Sequence, residues 1–368
     1  MTLTLPLLSD LEQEQMDVYV HPANRSIVVV GPPGSGKTSL AIWRSRFIAD
    51  NGQKVVLLTK NRALAGLAHQ LALETPGANV VTDTMHHFVW CHYLDEFKKP
   101  HTNGPGDYQL RWGEILEEYG ARNVQPHIDH VVVDEGQNLP PEFFIWAQRH
   151  CARTLSIFAD EHQTTVRGGS TMADIARLGI PDMFRLAYNH RNSAEIAALS
   201  NQFHRDRKLP AAIAKRGQRG DVPKVEHISD WADLVRMVGN RLTNAGGSVG
   251  VITYNVDDVK AVHESLRQAL PGTRVDLFHS KLEKGAELIK MRDPGVTVLS
   301  GESAIGLEFD AVYLHDLSRS LPMVVEMDHR RLYMLTARAR DLLVLVSGPD
   351  GLKEAQLNGL PSAPYLIR

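Results

Sequence analysis

The chain has 368 residues, 43% of them hydrophobic, and a formal net charge of −3 at pH 7 with histidine counted as neutral. This length favours two domains, and the small net charge excludes a protein that holds nucleic acid through a basic field over its whole surface. Two cysteines exclude a disulfide framework and favour a cytoplasmic location. We expect no signal peptide, because no basic residues precede the N-terminal leucines, and no membrane association, because no apolar run could span a bilayer.

The first half of the chain alternates apolar runs with segments of helical spacing. Strands are predicted at 26–30, 54–58, 131–134 and 155–160, with a further candidate at 184–188. Helices are predicted at 37–50 and 63–74. Alternation of this kind indicates an α/β fold in which helices cover a parallel sheet.

The second half repeats this organisation. Strands are predicted at 248–254, 296–300, 311–315 and 342–348, and helices at 256–270 and 329–340. The halves meet near 185–220, where the segment 204–224 is basic and rich in glycine and proline. We interpret this segment as a solvated connector in preference to a direct phosphate contact.

A glycine-rich loop, "GPPGSGKTSL" at 31–40, follows the first strand and opens the first long helix. Its pattern is that of a phosphate-binding loop, in which glycines turn backbone N–H groups inward and the helix N-terminus adds partial positive charge. Lys37 would reach the β- and γ-phosphates of ATP, and Thr38 would bind Mg²⁺. An ordinary glycine-rich turn is the alternative. The nucleotide-binding candidates are Gly31, Pro32, Gly34, Ser35, Gly36, Lys37, Thr38 and Ser39.

Two adjacent carboxylates follow the apolar strand in "HVVVDEGQNLP" at 130–140. Such a pair is costly at the end of a buried strand unless a positive group lies nearby. The glycine-rich loop supplies that group, so Asp134 is predicted to hold Mg²⁺ together with Thr38, and Glu135 to activate a water as the catalytic base. The alternative is a surface strand end with two solvated acids.

Segments along almost the whole chain resemble motifs of the UvrD/Rep family of superfamily 1 helicases. In the first half, 11–22 resembles the adenine-reading segment with Gln15 as the base reader, and 131–138 resembles the Asp-Glu-x-Gln signature with Gln137. The segment 57–68 stands where the family has a single-strand contact after the second strand, and 83–88 is similar to the Thr-x-His stretch that follows it. The segment 157–165 places Gln163 where the family senses the γ-phosphate.

In the second half, the resemblance places two arginines and one glutamate at the nucleotide. Arg191 lies in 186–199 and Arg338 in 330–346, and both would stabilise charge on the γ-phosphate. Glu308 lies in 296–314, in a nucleotide-binding position. The resemblance implies a first RecA-like lobe at 1–187, with a short insertion at about 90–128, and a second at 188–368, with ATP at their interface.

The resemblance also implies an ATP hydrolase, a DNA helicase or translocase that moves 3′ to 5′ on single-stranded DNA. RNA remains an alternative substrate. This chain departs from the family's strand-binding pattern at Lys60, Val166, Asn255 and Ile305, and 280–296 is too short for the family's duplex-engaging insertion. We therefore expect weak unwinding by the chain alone.

Three further hypotheses remain beside the motor. The first is an ATP-switched regulatory subunit that acts through a protein partner such as a nuclease. The second is a small-molecule kinase, which the two arginines and the second lobe disfavour. The third is a zinc site at His87 and Cys91, which lie four residues apart but have no evident second ligand pair.

Overall fold

The computed structural model describes residues 5–60, 62–74, 80–101, 110–160, 168–204, 212–216, 220–279, 293–315 and 317–368. The chain forms two compact units. The first lobe comprises Leu5–Gly31 and Lys37–Leu186, and the second comprises Ala187–Arg368 together with the loop segment Pro32–Gly36. The sequence-based boundaries at 1–187 and 188–368 stay a prediction.

The first lobe is built on a parallel six-stranded sheet with the order β3-β2-β4-β5-β1-β6. Its strands are β1 (Ile27–Val30), β2 (Val55–Thr59), β3 (Val81–Thr84), β4 (Ile128–Val133), β5 (Ala152–Ala159) and β6 (Asp182–Arg185). Its helices are α1 (Gln13–Tyr19), α2 (Lys37–Asp50), α3 (Arg62–Glu74), α4 (Met85–Phe97), α5 (Trp112–Ala121), α6 (Pro141–Trp146) and α7 (Met172–Ala176).

The core of the first lobe explains why its central strands read as continuous apolar runs. Strands β1 and β4 lie inside the sheet, and every residue of Ile27–Val30 is buried. On one face, β-branched residues such as Val131 pack under an aromatic cluster that includes Tyr119, Phe143 and Trp146. Burial on both faces is what removes the apolar–polar alternation from such strands.

The second lobe contains another parallel six-stranded sheet, with the order β11-β12-β10-β13-β14-β9. Its strands are β9 (Lys224–His227), β10 (Ser248–Thr253), β11 (Val275–Phe278), β12 (Gly295–Ser300), β13 (Phe309–His315) and β14 (Ala339–Ser347). A separate parallel pair joins β7 (Tyr188–Asn189) to β8 (Ile213–Ala214). The helices are α8 (Ala194–Phe203), α9 (Trp231–Ala245), α10 (Val256–Ala269), α11 (Glu326–Thr336) and α12 (Glu354–Asn358).

The two sheets confirm the predicted α/β class with two RecA-like parallel-sheet lobes. The predicted elements differ from the structure mainly at their ends, and several helices, such as α5 and α9, were not predicted. Helix α11 begins at Glu326, three residues before the predicted start, because the Asp328 carboxylate accepts the backbone N–H groups of Val324 and Val325 and caps it. It ends at Thr336, and the chain enters β14 at Ala339, inside the predicted helix.

Candidate strand 184–188 is divided between β6 and β7. The two-residue strand β8 was not predicted, and neither were three short strands of the six-stranded sheets. These are β3, β9 and β11, each of four residues and none of them fully buried. All three occupy or flank sheet edges, where one side of a strand lacks a partner and the apolar signal is weak. Within the described ranges, no helix is both long enough and apolar enough to span a membrane.

A buried histidine on β4 ties two strands of the first lobe together. His130 is fully buried; its Nδ1 lies 3.0 Å from the Ala23 carbonyl oxygen, and its Nε2 lies 2.8 Å from the Ser156 hydroxyl. A neutral imidazole satisfies both groups, because one nitrogen donates and the other accepts. Burial, together with the nearby positive charge of Arg44, lowers the pKa of His130 to about 3.

We expect acid to destabilise the first lobe through His130. Below the ordinary histidine pKa of about 6.5, His130 is protonated in the unfolded chain but stays neutral in the folded chain. The free energy of unfolding therefore falls by about 1.4 kcal/mol for each unit by which the pH is lowered. Urea unfolding of wild type and His130→Asn, at pH 7.5 and at pH 5.5, measures this term. The variant should be less stable at pH 7.5 but should lose less stability on acidification.

The exposed His87 provides the control, since His87→Asn should keep the wild-type difference between the two pH values. Part of the slope should survive in His130→Asn, because burial and the charge of His127 lower the pKa of His92 to about 4. An unchanged pH dependence in His130→Asn would contradict the assignment.

Candidate functional site

The glycine-rich loop leaves β1 at Val30 and enters α2 at Lys37. Gly34 and Gly36 have φ values of +77° and +83°, a left-handed conformation that side chains disfavour. The Gly31 N–H donates to the carbonyl of Ala159 on β5, which anchors the start of the loop. Helix α2 has fourteen residues, so its free N–H groups and partial positive charge are suited to an anion.

Lys37 is a buried cation at the first position of α2. Its Nζ donates to the Gly31 carbonyl at 2.7 Å and lies 3.6 Å from Asp160 Oδ2. The ammonium group is thus held beside the loop by one carbonyl and one carboxylate. A polyphosphate in the loop would offer it stronger charge-assisted bonds than the carbonyl does.

Asp134 directly follows β4 and is almost fully buried, with 1% of its surface exposed. The nearby Thr38 hydroxyl favours the charged form of its carboxyl group and lowers its pKa, and Oδ1 accepts the Glu135 N–H at 3.0 Å. In the described part of the chain its other oxygen, Oδ2, is buried without a hydrogen-bond partner. Burial and the neighbouring charge of Glu135 raise the pKa of Asp134 to about 7.

A divalent cation fits this arrangement. The orphaned Oδ2 of Asp134 lacks only a positive partner, and Thr38 contributes a second oxygen of the kind that Mg²⁺ prefers. Two protein oxygens are an incomplete shell, which is usual where phosphates and waters supply the remaining ligands.

Glu135 has a strained backbone and a restrained side chain. Its φ is +56°, which is uncommon for a residue with a side chain and is characteristic of functional positions. The carboxylate oxygen Oε2 accepts hydrogen bonds from Gln137 at 2.6 Å and from Asn138 at 3.4 Å. Gln137 in turn accepts the Asp160 N–H at 2.9 Å. The loop after β4 therefore fixes the position of the carboxylate and joins it to the partner of Lys37.

Lys60 extends this network to the end of β2. Its Nζ donates to the Asn138 carbonyl at 3.2 Å. The residue that departs from the strand-binding pattern at this position is therefore connected, through Asn138, to the predicted catalytic base.

Gln15 lies on α1 and is buried. Its Oε1 accepts the Glu12 N–H at 3.1 Å and so takes part in capping its own helix. The segment that follows is held by Arg44, a fully buried residue of α2 that donates to the carbonyls of Tyr19, His21 and Pro22. Sequence reasoning missed Arg44, and its only signal was an arginine on the apolar face of a helix.

Arg191 and Glu308 form an ion pair in the second lobe. The Asn189 side chain accepts the backbone N–H groups of Arg191 and Asn192, and the Asn192 amide donates to the Ala337 carbonyl. This network holds the turn that carries Arg191 against the end of α11.

Arg338 is buried directly after the same helix. Its Nε donates to the Met334 carbonyl at 2.9 Å, and its Nη1 to the Leu307 carbonyl at 3.4 Å. The structure thus brings Arg338 to the residue preceding Glu308, so the second-lobe candidates Arg191, Glu308 and Arg338 are neighbours. The first-lobe candidates Lys37, Thr38, Asp134 and Glu135 are likewise neighbours.

Two of the remaining candidate positions lie outside the described residues, and the zinc hypothesis gains no support. Gln163 and Val166 lie outside the described residues. At the zinc hypothesis, His87 bonds to Asp83 at 2.7 Å and lies 3.5 Å from the Cys91 sulfur. A search of the described residues finds no set of three or more histidine, cysteine, aspartate or glutamate side chains that could hold a metal.

Comparison with known proteins identifies the family. A family model described as an AAA domain matches residues 10–227, which is more than half of the chain. The chain belongs to this AAA domain family. The matched region contains the loop, both carboxylates and Arg191, so the first-lobe site of this AAA-domain protein lies inside the family's domain. A search of curated proteins finds no match.

Two solved structures similar to this AAA-domain protein are a possible helicase and a helicase. One is the C-terminal domain of a possible DNA helicase from Lactobacillus plantarum, with 19% identity, a TM-score of 0.35, and coverage of 48% of this chain and 97% of that one. The other is the PRRSV helicase, with 15% identity, a TM-score of 0.45, and coverage of 95% of this chain and 57% of that one. At these scores we transfer no function from either.

We expect Asp134→Asn to stabilise the nucleotide-free protein, because it removes one of two adjacent buried charges. A gain of roughly 1 kcal/mol would raise the melting temperature by about 2–4 °C. The variant should also lose the extra stabilisation that Mg²⁺ gives in the presence of a nucleotide. Differential scanning calorimetry, with and without Mg²⁺ and a non-hydrolysable ATP analogue, measures both effects.

The matched control is Asp160→Asn, which removes a carboxylate that already pairs with Lys37. This variant should not be stabilised. A lower melting temperature for nucleotide-free Asp134→Asn would mean that its carboxylate is already satisfied without a cation.

Proposed function

We propose that this protein is an ATP-driven motor of the UvrD-like superfamily 1 type, which moves 3′ to 5′ on single-stranded DNA and unwinds duplex weakly by itself. The observation that carries the proposal is the buried Asp134 oxygen without a hydrogen-bond partner, near Lys37 and Thr38, the two residues that directly follow the glycine-rich loop in sequence. A buried carboxylate of this kind is suited to a metal–nucleotide complex and poorly suited to a purely structural role.

The chemistry assigned to the first lobe is phosphoryl transfer to water. Thr38 and Asp134 would hold Mg²⁺, which supplies charge neutralisation on the phosphate oxygens. Lys37 would exchange the Gly31 carbonyl for the β- and γ-phosphates, and Glu135 would accept the proton of the attacking water. The hydrogen bonds from Gln137 and Asn138 orient the Glu135 carboxylate and leave its second oxygen for that water.

The second lobe would contribute positive charge to the transition state. We assign Arg191 and Arg338 to the γ-phosphoryl oxygens, Gln163 to sensing the γ-phosphate, Gln15 to the base and Glu308 to the nucleotide. The Glu308 carboxylate pairs with Arg191. That pairing keeps the guanidinium ordered, and nucleotide would compete with Glu308 for it.

One observation favours the alternative function, a nucleotide-switched subunit that acts through a protein partner. Val324, Val325 and Met327 form an exposed apolar stretch at the start of α11, with 78%, 54% and 46% of their surfaces exposed. Apolar side chains concentrated in this way are more typical of a protein-binding surface than of a strand-binding groove.

Substitutions at Glu135 and Lys37 separate chemistry from binding. Glu135→Gln keeps the shape of the side chain but removes the base, so ATP should bind normally while turnover falls by about 10²–10⁴-fold. Lys37→Ala should weaken binding of Mg²⁺-ATP as well, because the phosphates lose a fixed cation. Equilibrium binding of a fluorescent ATP analogue and single-turnover hydrolysis measure the two steps. Rapid turnover by Glu135→Gln would assign the base to another residue.

Stimulation of hydrolysis by nucleic acid separates the motor from the switched subunit. We expect single-stranded DNA to raise the ATPase rate, and a 3′ to 5′ motor to displace streptavidin from a 5′-biotinylated oligonucleotide faster than from a 3′-biotinylated one. Single-stranded RNA is tested in parallel, and a tailed duplex tests unwinding. ATP hydrolysis that neither DNA nor RNA stimulates would favour the partner-dependent switch.

A further inference from the structure

Tyr254 directly follows β10, a central strand of the second sheet, and 39% of its surface is exposed. Two guanidinium groups lie over its ring. The Arg331 guanidinium carbon is 4.8 Å from the ring centroid, and that of Arg319 is 5.8 Å away. Both distances are within the range of a cation–π interaction. An exposed aromatic ring with an arginine at its face is the arrangement on which a nucleobase stacks.

The three side chains come from different elements but meet at the carboxyl ends of the strands of the second sheet. Arg319 lies in the short helix Leu317–Ser320 after β13, and Arg331 lies on α11. The Gly301 N–H, just past β12, donates to the Thr253 carbonyl at the end of β10. The carboxyl ends of parallel strands are the usual side for ligand binding in open α/β sheets.

Arg331 also lies close to the backbone of Gly301. A side chain on Gly301 would bring its first carbon within 3.2 Å of the Arg331 Nη2 atom, so the guanidinium packs against bare backbone. The Arg331 guanidinium therefore lies near both the Gly301 backbone and the Tyr254 ring.

Arg319 and Arg331 differ in whether a carboxylate pairs with them. Arg319 is paired with Asp258 at 3.1 Å, and the adjacent Arg330 is paired with Glu326. Among the residues that the structure describes, no carboxylate pairs with Arg331, although this side chain is half-buried. A partly desolvated cation without a counterion is costly, and binding of an anion would offset that cost.

We propose that Tyr254 and Arg331 form a contact for single-stranded nucleic acid, in which Arg331 binds a backbone phosphate and a base stacks on Tyr254. This contact rests on the proposed motor function. The base would displace Arg319 from the ring, because Arg319 is the more distant of the two arginines and already pairs with Asp258. At Lys60 and Asn255 the chain lacks the strand-binding residues that the resembled family has. Stacking of a base on Tyr254 would supply strand binding in their place.

The test is fluorescence anisotropy with labelled 20-mers of oligo(dT) and oligo(U), at several salt concentrations. Tyr254→Leu should weaken binding of the preferred strand by about tenfold or more, and Tyr254→Phe, which keeps the ring, should bind nearly as wild type does. Arg331→Gln should weaken binding and lower the slope of log Kd against log salt by about one phosphate contact, and Arg331→Lys should restore that slope. Arg330→Gln is the control, because that neighbouring charge is already paired.

Two failures are distinguishable. If wild type binds a strand and Tyr254→Leu and Arg331→Gln bind it equally well, the contact is wrong and the motor proposal stands. If wild type binds neither oligonucleotide, the contact and the motor proposal both fail. Affinity for a fluorescent ATP analogue and the melting temperature should stay near wild type in every variant, and a loss of both would assign the cluster to folding.

Discussion

Two adjacent buried carboxylates, Asp134 and Glu135, are the constraint on which the first-lobe site depends. Like charges at the end of an apolar strand repel one another and cannot be hydrated, so every neighbouring group serves to offset them. The Glu135 backbone bonds to Asp134, the Thr38 hydroxyl lies near it, and Gln137 and Asn138 bond to Glu135. One Asp134 oxygen is still left without a hydrogen-bond partner, a cost that the proposed metal–nucleotide complex would offset.

The same constraint accounts for the backbone at Glu135. A left-handed glutamate costs of order 1 kcal/mol or more, and it persists only where surrounding bonds determine it. Here those bonds run from Gln137 to the Asp160 backbone beside Lys37, and from Asn138 to Lys60 at the end of β2. A shift of Lys60 would therefore alter the position of the Glu135 carboxylate through Asn138. We regard this chain of bonds as a physical path by which events at the end of β2 could alter the position of the base.

The sequence predicts those parts of the fold and site that are encoded locally. The loop and the carboxylates could be predicted because each follows a continuous apolar strand, and strand order brings their ends together. The edge strands β3 and β9 were missed because four half-buried residues carry little periodic signal. Arg44 and the Tyr254–Arg331 pair were missed for another reason. Their contacts join residues that are distant in sequence, and no spacing rule connects an arginine to three carbonyls or to a ring.

Charge pairing in the second lobe bears on what kind of nucleic acid this chain could hold. Most of its arginines that the structure describes are paired with carboxylates, for example Arg216 with Asp341 and Arg340 with Asp310, which agrees with the small net charge. A surface of this kind attracts the phosphate backbone weakly, whether the nucleic acid is single- or double-stranded. Stacking on an aromatic ring is different, because a base face is available only where the strand is unpaired. A near-neutral motor that relies on such a stack would select single strands over duplex, and it would follow an opened strand more readily than it opens one.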